Sequence, residues 1–323
     1  MPKPVVSEEE FIELWDKYQS PVKMARILGV SERGIMARRN RIENKTKKLL
    51  ITKAVPGNTT GQTESIQPST ARHYIGIENG VVLVFSDAHF WPGIRSTAYK
   101  GLLWAIKELK PKAIINNGDA FDGANISRHP RIGWDNKPSV VQELRACEAS
   151  LGEIEEASKG AKLVWALGNH DARFENRLAN TVPEYMAVGG FKLSDHFPAW
   201  IPCWSCWPTE NVVVKHRFKG GLHATHNNTV NAGLTIVTGH LHSLKVTPFS
   251  DYAGNRFGVD TGTLAETSGP QFTDYLEDNP VNWRSGFAVL TFHNGKLLWP
   301  ELIHRWDKDK VEFRGKIIDV GSF

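Results

Sequence analysis

Five short apolar runs, at residues 81–85, 114–115, 163–167, 212–214 and 235–238, are each followed within two residues by Asp, His or Asn. They lead into Ser86-Asp87-Ala88-His89, Asn117-Gly118-Asp119-Ala120-Phe121-Asp122, Gly168-Asn169-His170-Asp171, Lys215-His216 and Gly239-His240-Leu241-His242. An unbroken apolar run of this kind reads as a strand buried on both faces. Ligands of α/β sheets bind at the carboxyl ends of such strands. One Asp-x-His alone would carry no weight. Five runs delivering the same residue types to one sheet edge constrain both the fold and the chemistry.

Helical stretches at 102–109 and 138–159 separate the first three runs, which argues for an α/β domain. Strand-like segments at 212–214, 235–238, 257–259, 286–292 and 296–303 follow with few helices between them, so two sheets, partly antiparallel, are expected rather than one doubly wound sheet. Residues 172–210 read as an insertion carrying Trp200, Trp204 and Trp207. Packing is its simpler role, and a cap that stacks on an aromatic substrate group the sharper one. Cys203 and Cys206 lack the strand-then-helix setting of a redox dithiol, and with Cys147 they make a poor zinc set.

Asp, His and Asn offer oxygen and nitrogen ligands suited to Mn, Fe, Zn or similar divalent ions. A carboxylate can bridge two cations about 3.5–4 Å apart, as in two-metal hydrolytic sites. On extended chain, residues two apart can reach one centre, which suits Asp87 with His89 and His240 with His242. Glycines before Asp119, Asn169 and His240 are expected to turn the backbone sharply at the sheet edge. Asp260 and Thr261, in Gly-Val-Asp-Thr-Gly-Thr, are placed near a site without a role.

The ordered set Asp-x-His, Gly-Asp-x-x-Asp, Gly-Asn-His-Asp, His, Gly-His-x-His, across residues 80–265, resembles the calcineurin-like metallophosphoesterases. That superfamily includes purple acid phosphatases, nucleases, phage-type protein phosphatases and cyclic-nucleotide phosphodiesterases. The resemblance implies an α/β, four-layer αββα sandwich. It also implies that Asp87, His89 and His242 hold a first metal, that Asp119 bridges, and that Asn169, His216 and His240 hold a second. His170, beside Asp122, would be the general acid or transition-state stabiliser, with Asp122 part of the catalytic set. The implied cofactors are two divalent ions, Mn foremost, with Fe, Zn, Ni or Mg as alternatives. Such ions lower the pKa of a bridging water, giving hydroxide for attack on a phosphate ester. This chain departs from the family's usual His-Gly after the fourth strand, so His216 and His223 both stand as the fourth-strand ligand. His223 is also a candidate substrate contact. Arg128 and Arg173 are candidate phosphate clamps, because Arg presents a bidentate fork.

The amino-terminal part has a different character. Residues 17–53 hold eleven Lys or Arg against Glu32 and Glu43, which localises most of the net charge of +4. Residues 7–50 read as three helices: Ser7 before three Glu, Ser20-Pro21, and Ser31 after Gly29 each mark a start. Helix, Gly turn and capped helix suggest a helix-turn-helix, with Arg38, Arg41 and Lys45 along one stripe of the third helix. Contact with DNA or RNA is one reading, and a helical bundle with a solvated basic face the other. The expected domains are this module at 1–53, a polar linker at 54–72 and the catalytic domain at 73–323. No apolar run approaches the length of a membrane span, and the amino terminus lacks the apolar core of a secretory signal. With few cysteines, a cytoplasmic location follows, in a bacterium or, for a phage-encoded chain, its host. The expected function is hydrolysis of phosphodiesters of nucleic acid or nucleotides. A phosphomonoesterase or protein phosphatase is the alternative, and a non-catalytic DNA-binding regulator the alternative of another class.

Overall fold

A computed structural model describes residues 6–46, 50, 71–129, 137–276 and 279–323. The chain forms two compact units, Met1–Gln67 and Pro68–Phe323. Residues 54–70 of the expected linker lie outside the described residues. Arg72, also given to that linker, instead opens a strand.

The smaller unit holds helices Glu8–Tyr18, Pro21–Leu28 and Glu32–Thr46. Ser7 and Glu10 form a reciprocal cap, and Ser20 with Pro21 starts the second helix. Gly29 ends the second helix in the left-handed region (φ 63°), where a residue without Cβ is unstrained. Phe11, Trp15, Met24, Ala25, Ile35, Ile42 and Leu50 form a shared core.

The larger unit is built on two sheets. One runs, edge to edge, Lys316–Asp319, Lys310–Phe313, Glu301–Asp307, Gly286–His293, Gly80–Phe85, Ala113–Asn116, Lys162–Ala166 and Ile201–Cys203, with Lys296–Leu297 paired to Gly286–His293. The other runs Arg72–Tyr74, Ser205–Thr209, Val212–Val214, Thr235–Thr238, Gly254–Asp260 and Lys245–Asp251. Successive side chains of a strand alternate between faces. Val82, Val84, Ile115, Val164 and Ala166 of the first sheet thus meet Cys206, Val214, Val237 and Val259 of the second in a core between them. Leu83, Phe85, Ile114 and Trp165 face outward onto helices Thr97–Leu109 and Val140–Ala157. Helix Ala224–Ala232 packs on the second sheet, where a Cβ at Gly258 would lie 1.9 Å from the Thr225 carbonyl oxygen. The layers are therefore helix, sheet, sheet, helix, as expected.

The expected insertion at 172–210 is in part built into the two sheets. It contributes strands Ile201–Cys203 and Ser205–Thr209, one to each sheet. Trp200 is buried in the core against Phe85 and Trp165, and its indole N–H donates to Glu155. Trp207 stacks on Tyr74 at the edge of the second sheet, and Trp204 is exposed. Cys203 and Cys206 are free and buried, one in each sheet. Burial pushes the Cys203 thiol up to about 12, so it stays protonated and inert.

Candidate metal centre

The structure brings Asp87, His89, Asp119, Asn169, His170, His216, His240 and His242 to the carboxyl ends of five strands. Three triplets place potential ligand atoms within 4.8 Å of one another: Asp87, His89 and His242; His89, Asp119 and His170; and Asp119, His216 and His240. The backbone that does this is not extended. Asp87 (φ 52°), His89 (40°), Asp119 (56°), His240 (71°) and His242 (57°) all occupy the left-handed region. Each costs conformational energy that the surrounding fold must offset, a pattern concentrated at functional sites. The glycines also act differently from expectation. Gly118 alone turns at positive φ, whereas Gly168 and Gly239 make room. A Cβ at Gly168 would stand 2.0 Å from Asp119 Oδ1, and one at Gly239 2.6 Å from Asp87 Oδ2.

Asp87 Oδ2 accepts from the His240 backbone N–H (2.8 Å), and Oδ1 lies 3.0 Å from His242 Nε2. Burial would raise the Asp87 carboxyl, but His242 and His216 outweigh it and hold it at about 2. Asp119 Oδ1 accepts from the His170 backbone N–H (2.8 Å). His216 Nδ1 lies 2.8 Å from the Asn117 carbonyl, which turns Nε2 toward Asp119 Oδ2 at 3.0 Å. Burial would lower His216, yet Asp119 and Asp87 push it up to about 10, a measure of the negative charge converging there. Asp122 Oδ1 lies 2.8 Å from His89 Nδ1 and 2.7 Å from His170 Nδ1. A carboxylate on one ring nitrogen fixes the tautomer and leaves the other nitrogen for a ligand. For His89 that leaves Nε2, 4.0 Å from Asp87 Oδ1.

Two buried atoms of the cluster, Asn169 Oδ1 and His216 Nε2, make no hydrogen bond. Nε2 of His216 stands 3.0 Å from Asp119 Oδ2 without the alignment of a hydrogen bond. Buried polar atoms without partners are costly, and a divalent cation held by oxygen and nitrogen donors would satisfy these. The residues present therefore fit such a cation.

The other expected residues divide. His223 is exposed at the start of helix Ala224–Ala232, while His216 is buried within the cluster. Of the two candidates for the fourth-strand ligand, the structure puts His216, and not His223, in the cluster. Arg128 is exposed and, among the described residues, makes no hydrogen bond or ion pair. Arg173 reaches it: its guanidinium donates to the Asp122 carbonyl (2.9 Å) and lies 3.0 Å from His170 Nε2. In the smaller unit, Arg38 is not a free cation. It donates to the Val6 and Ser7 carbonyls and stacks on Phe11, with its guanidinium 4.9 Å from the ring centre. Lys45 pairs with Glu8 at 2.8 Å, while Arg41 is exposed.

Three buried carboxylates not read as site residues hold the ligand loops. Asp171 accepts from the backbone N–H groups of Asp119, Phe121 and Gly168 and from the Trp165 indole. Glu143 accepts from Gly123 and Ala124. Asp260 Oδ1 accepts from Ser243, Leu244 and Gly262, and burial pushes its carboxyl up to about 6. Phe272 and Trp283 pack on His242, with ring centres 5.9 and 4.5 Å away. Asp171 was visible as the end of Gly-Asn-His-Asp, and Asp260 as a polar residue closing a strand. Glu143 and the two aromatic residues gave no signal in sequence.

The sequence profile of the calcineurin-like phosphoesterases matches residues 80–315. The chain belongs to that family. It is 24% identical over 250 residues to the Gene 54 protein of Mycobacterium phage L5, covering 69% of this chain and 92% of that one. Among solved structures it is similar to Entamoeba histolytica Vps29 (12% identity, TM-score 0.35, covering 74% of this chain and 96% of that one). It is also similar to an archaeal phosphodiesterase (11%, 0.34, 70% and 99%) and to the Escherichia coli phosphoesterase Yfce (13%, 0.29, 68% and 97%). Family membership and the Asp/His clusters indicate a phosphoesterase that uses divalent metal ions and acts on a phosphate ester. No helix among the described residues is long and apolar enough to cross a membrane.

Proposed function

We propose that this chain is a phosphodiesterase of nucleotides or nucleic acid that works with two divalent cations, Mn²⁺ foremost. The observation that carries the reading is the pair of separate triplets, Asp87/His89/His242 and Asp119/His216/His240, side by side in one cluster. Asp87, His89 and His242 would hold one cation. His216, His240 and Asn169 would hold the other, with Asp119 shared between them. Such cations acidify water and neutralise charge on phosphoryl oxygens.

The chain's own groups do the rest. Asp122 orients His89 and His170 through their Nδ1 atoms. Burial and the Arg173 charge lower His170, but Asp119 and Asp122 outweigh them, so the ring takes up a proton more readily than free imidazole. His170 is thereby suited to give that proton from Nε2 to the leaving oxygen. Arg173, now beside Nε2, would turn its fork onto a phosphoryl oxygen.

The three-helix unit is read as a helix-turn-helix that brings the enzyme to duplex DNA. The exposed residues Arg33, Asn40 and Arg41 of helix Glu32–Thr46 are the proposed contacts, in place of Arg38 and of Lys45, which is paired with Glu8. The test is hydrolysis of bis-p-nitrophenyl phosphate, p-nitrophenyl phosphate and labelled DNA with Mn²⁺. Manganese-dependent cleavage of the diester and of DNA is expected. Cleavage of the monoester alone would refute the diesterase reading and favour a phosphomonoesterase or protein phosphatase.

A further inference from the structure

Beside the cluster, on the His240 side, lies a cleft of about 290 Å³ that no metal ligand other than His240 lines. Its walls are the loop Arg217, Phe218, Lys219 and Gly220, directly after His216, and the strand end from Thr238 to Leu241. Among the described residues no carboxylate lines it, in contrast to the centre next door. Arg217 is exposed and, among the described residues, has no hydrogen-bond or ion-pair partner. Phe218 is 43% exposed, with the Lys215 amine 5.4 Å from its ring centre. Lys219 keeps its charge in the wall while its amine donates to Asn231.

The loop is held in shape rather than merely exposed. Asn228, 1% exposed, accepts from the Lys219 N–H and donates to the Lys219 carbonyl. A fixed loop that offers one aromatic face among cations, opening onto the reacting centre, matches the chemistry of a nucleotide: a base with a π-face and an anionic backbone. The volume lies at the lower end of small-ligand sites, roughly 300–1,000 Å³, which suits one nucleotide unit.

We propose that this cleft is the subsite for a nucleotide of the ester substrate, with Phe218 stacking on the base and Arg217 and Lys219 meeting its phosphate. The assignment rests on the phosphodiesterase reading above and adds where a nucleotide unit of the substrate sits. The test compares thymidine 5′-(p-nitrophenyl phosphate) with methyl p-nitrophenyl phosphate, which has no base, in the full chain with Mn²⁺. The ratio of kcat/KM for the two esters should fall about tenfold in Phe218→Ala, carried by KM, because only the thymidine ester has a base. Arg217→Ala should lower kcat/KM for both esters, which share the phosphate, and Arg217→Lys should restore part of it. An unchanged ratio in Phe218→Ala, or unchanged turnover of both esters in Arg217→Ala, would overturn the subsite.

If the unaltered chain hydrolyses neither ester with Mn²⁺, Zn²⁺ or Mg²⁺, the phosphoesterase reading fails on its own. The cleft is then decided by calorimetric titration of thymidine 5′-monophosphate. Binding about tenfold weaker in the Arg217→Ala and Phe218→Ala variants supports it. Equal affinity, or no binding to the unaltered chain, overturns it.

Discussion

Replacing Gly168 by Ala adds one methyl group at the point where the centre has least room. The backbone of Gly168 does not require glycine, since its φ is not positive. The effect is therefore steric. The new Cβ would lie 2.0 Å from Asp119 Oδ1 and 2.5 Å from the Asp119 backbone nitrogen. Ordinary contact begins at 3.4 Å, so a displacement of about 1.4 Å (3.4 − 2.0) is needed. Neither neighbour can give way freely. Oδ1 is held by the His170 N–H, and the Asp119 N–H is bonded to Asp171 Oδ2, which also accepts from Gly168 and Trp165.

Overpacking of this kind costs about 1–3 kcal/mol. At about 2–4 °C per kcal/mol for a domain of this size, Tm should fall by roughly 2–12 °C. Moving the shared carboxylate by more than 1 Å should lower kcat/KM on bis-p-nitrophenyl phosphate by about 100-fold. Metal content after dialysis should fall with it. Gly152→Ala, in helix Val140–Ala157 with nothing within 4 Å of the new Cβ, is the control. It should keep full activity and gain about 0.5–1 kcal/mol. Wild-type activity and metal content in Gly168→Ala would refute the claim that Asp119 must sit where this turn places it.

Asp260→Asn tests a pH dependence. The folded-state carboxyl is raised from 3.8 to about 6, so its stabilising share is complete below 3.8 and lost as pH rises through 6. The loss is about 3 kcal/mol, from 2.2 pH units at 1.36 kcal/mol each. Asn keeps the acceptor for three N–H groups. Urea unfolding in chelator should show the variant losing less stability than the parent between pH 4 and 7, and parallel curves would contradict this. Arg173→Ala should lower kcat by about tenfold or more with little change in Tm, and Arg173→Lys should not restore it, because an ammonium lacks the fork. Unchanged kcat in either variant would remove Arg173 from the site. Arg41→Ala should weaken duplex binding and reduce the slope of log K against log salt by about 1. Arg38→Ala should instead destabilise the three-helix unit by about 1–2 kcal/mol, read by thermal unfolding of the full chain. The reverse pattern would restore Arg38 to the binding face.

The centre was legible because its residues abut apolar runs, and a strand buried on both faces leaves an unbroken run in sequence. The strands Gly80–Phe85, Ala113–Asn116 and Thr235–Thr238 show this directly. Strands at the sheet margins were not legible. Lys245–Asp251 is an edge strand with no fully buried residue, and Pro248 is tolerated only in such a place. Pro202, on the edge strand Ile201–Cys203, and Pro208, where the pairing of Ser205–Thr209 shifts register, disguised two strands as an insertion. The stretch 296–303 read as one strand, but it divides into Lys296–Leu297 and Glu301–Asp307 around Trp299-Pro300. Helix Ala224–Ala232 carries too few apolar residues to show a helical period. The left-handed turns at Asp87, His89 and His242 depend on tertiary hydrogen bonds and have no local signature. Arg38 was misplaced for a related reason. Spacing puts it on the stripe with Arg41, but only the fold shows Phe11 and the Val6 carbonyl reaching it first.

The central claim is that Asp119 organises a metal-dependent phosphoesterase centre. Its most direct test is paired measurement of bound divalent metal and bis-p-nitrophenyl phosphate hydrolysis in the full chain and in Asp119→Asn, each with Mn²⁺ and with chelator. The account predicts bound metal and metal-dependent turnover in the parent. In the variant it predicts loss of turnover and of at least part of the metal, with the fold retained. Turnover that survives chelation, or that persists in Asp119→Asn, would contradict it.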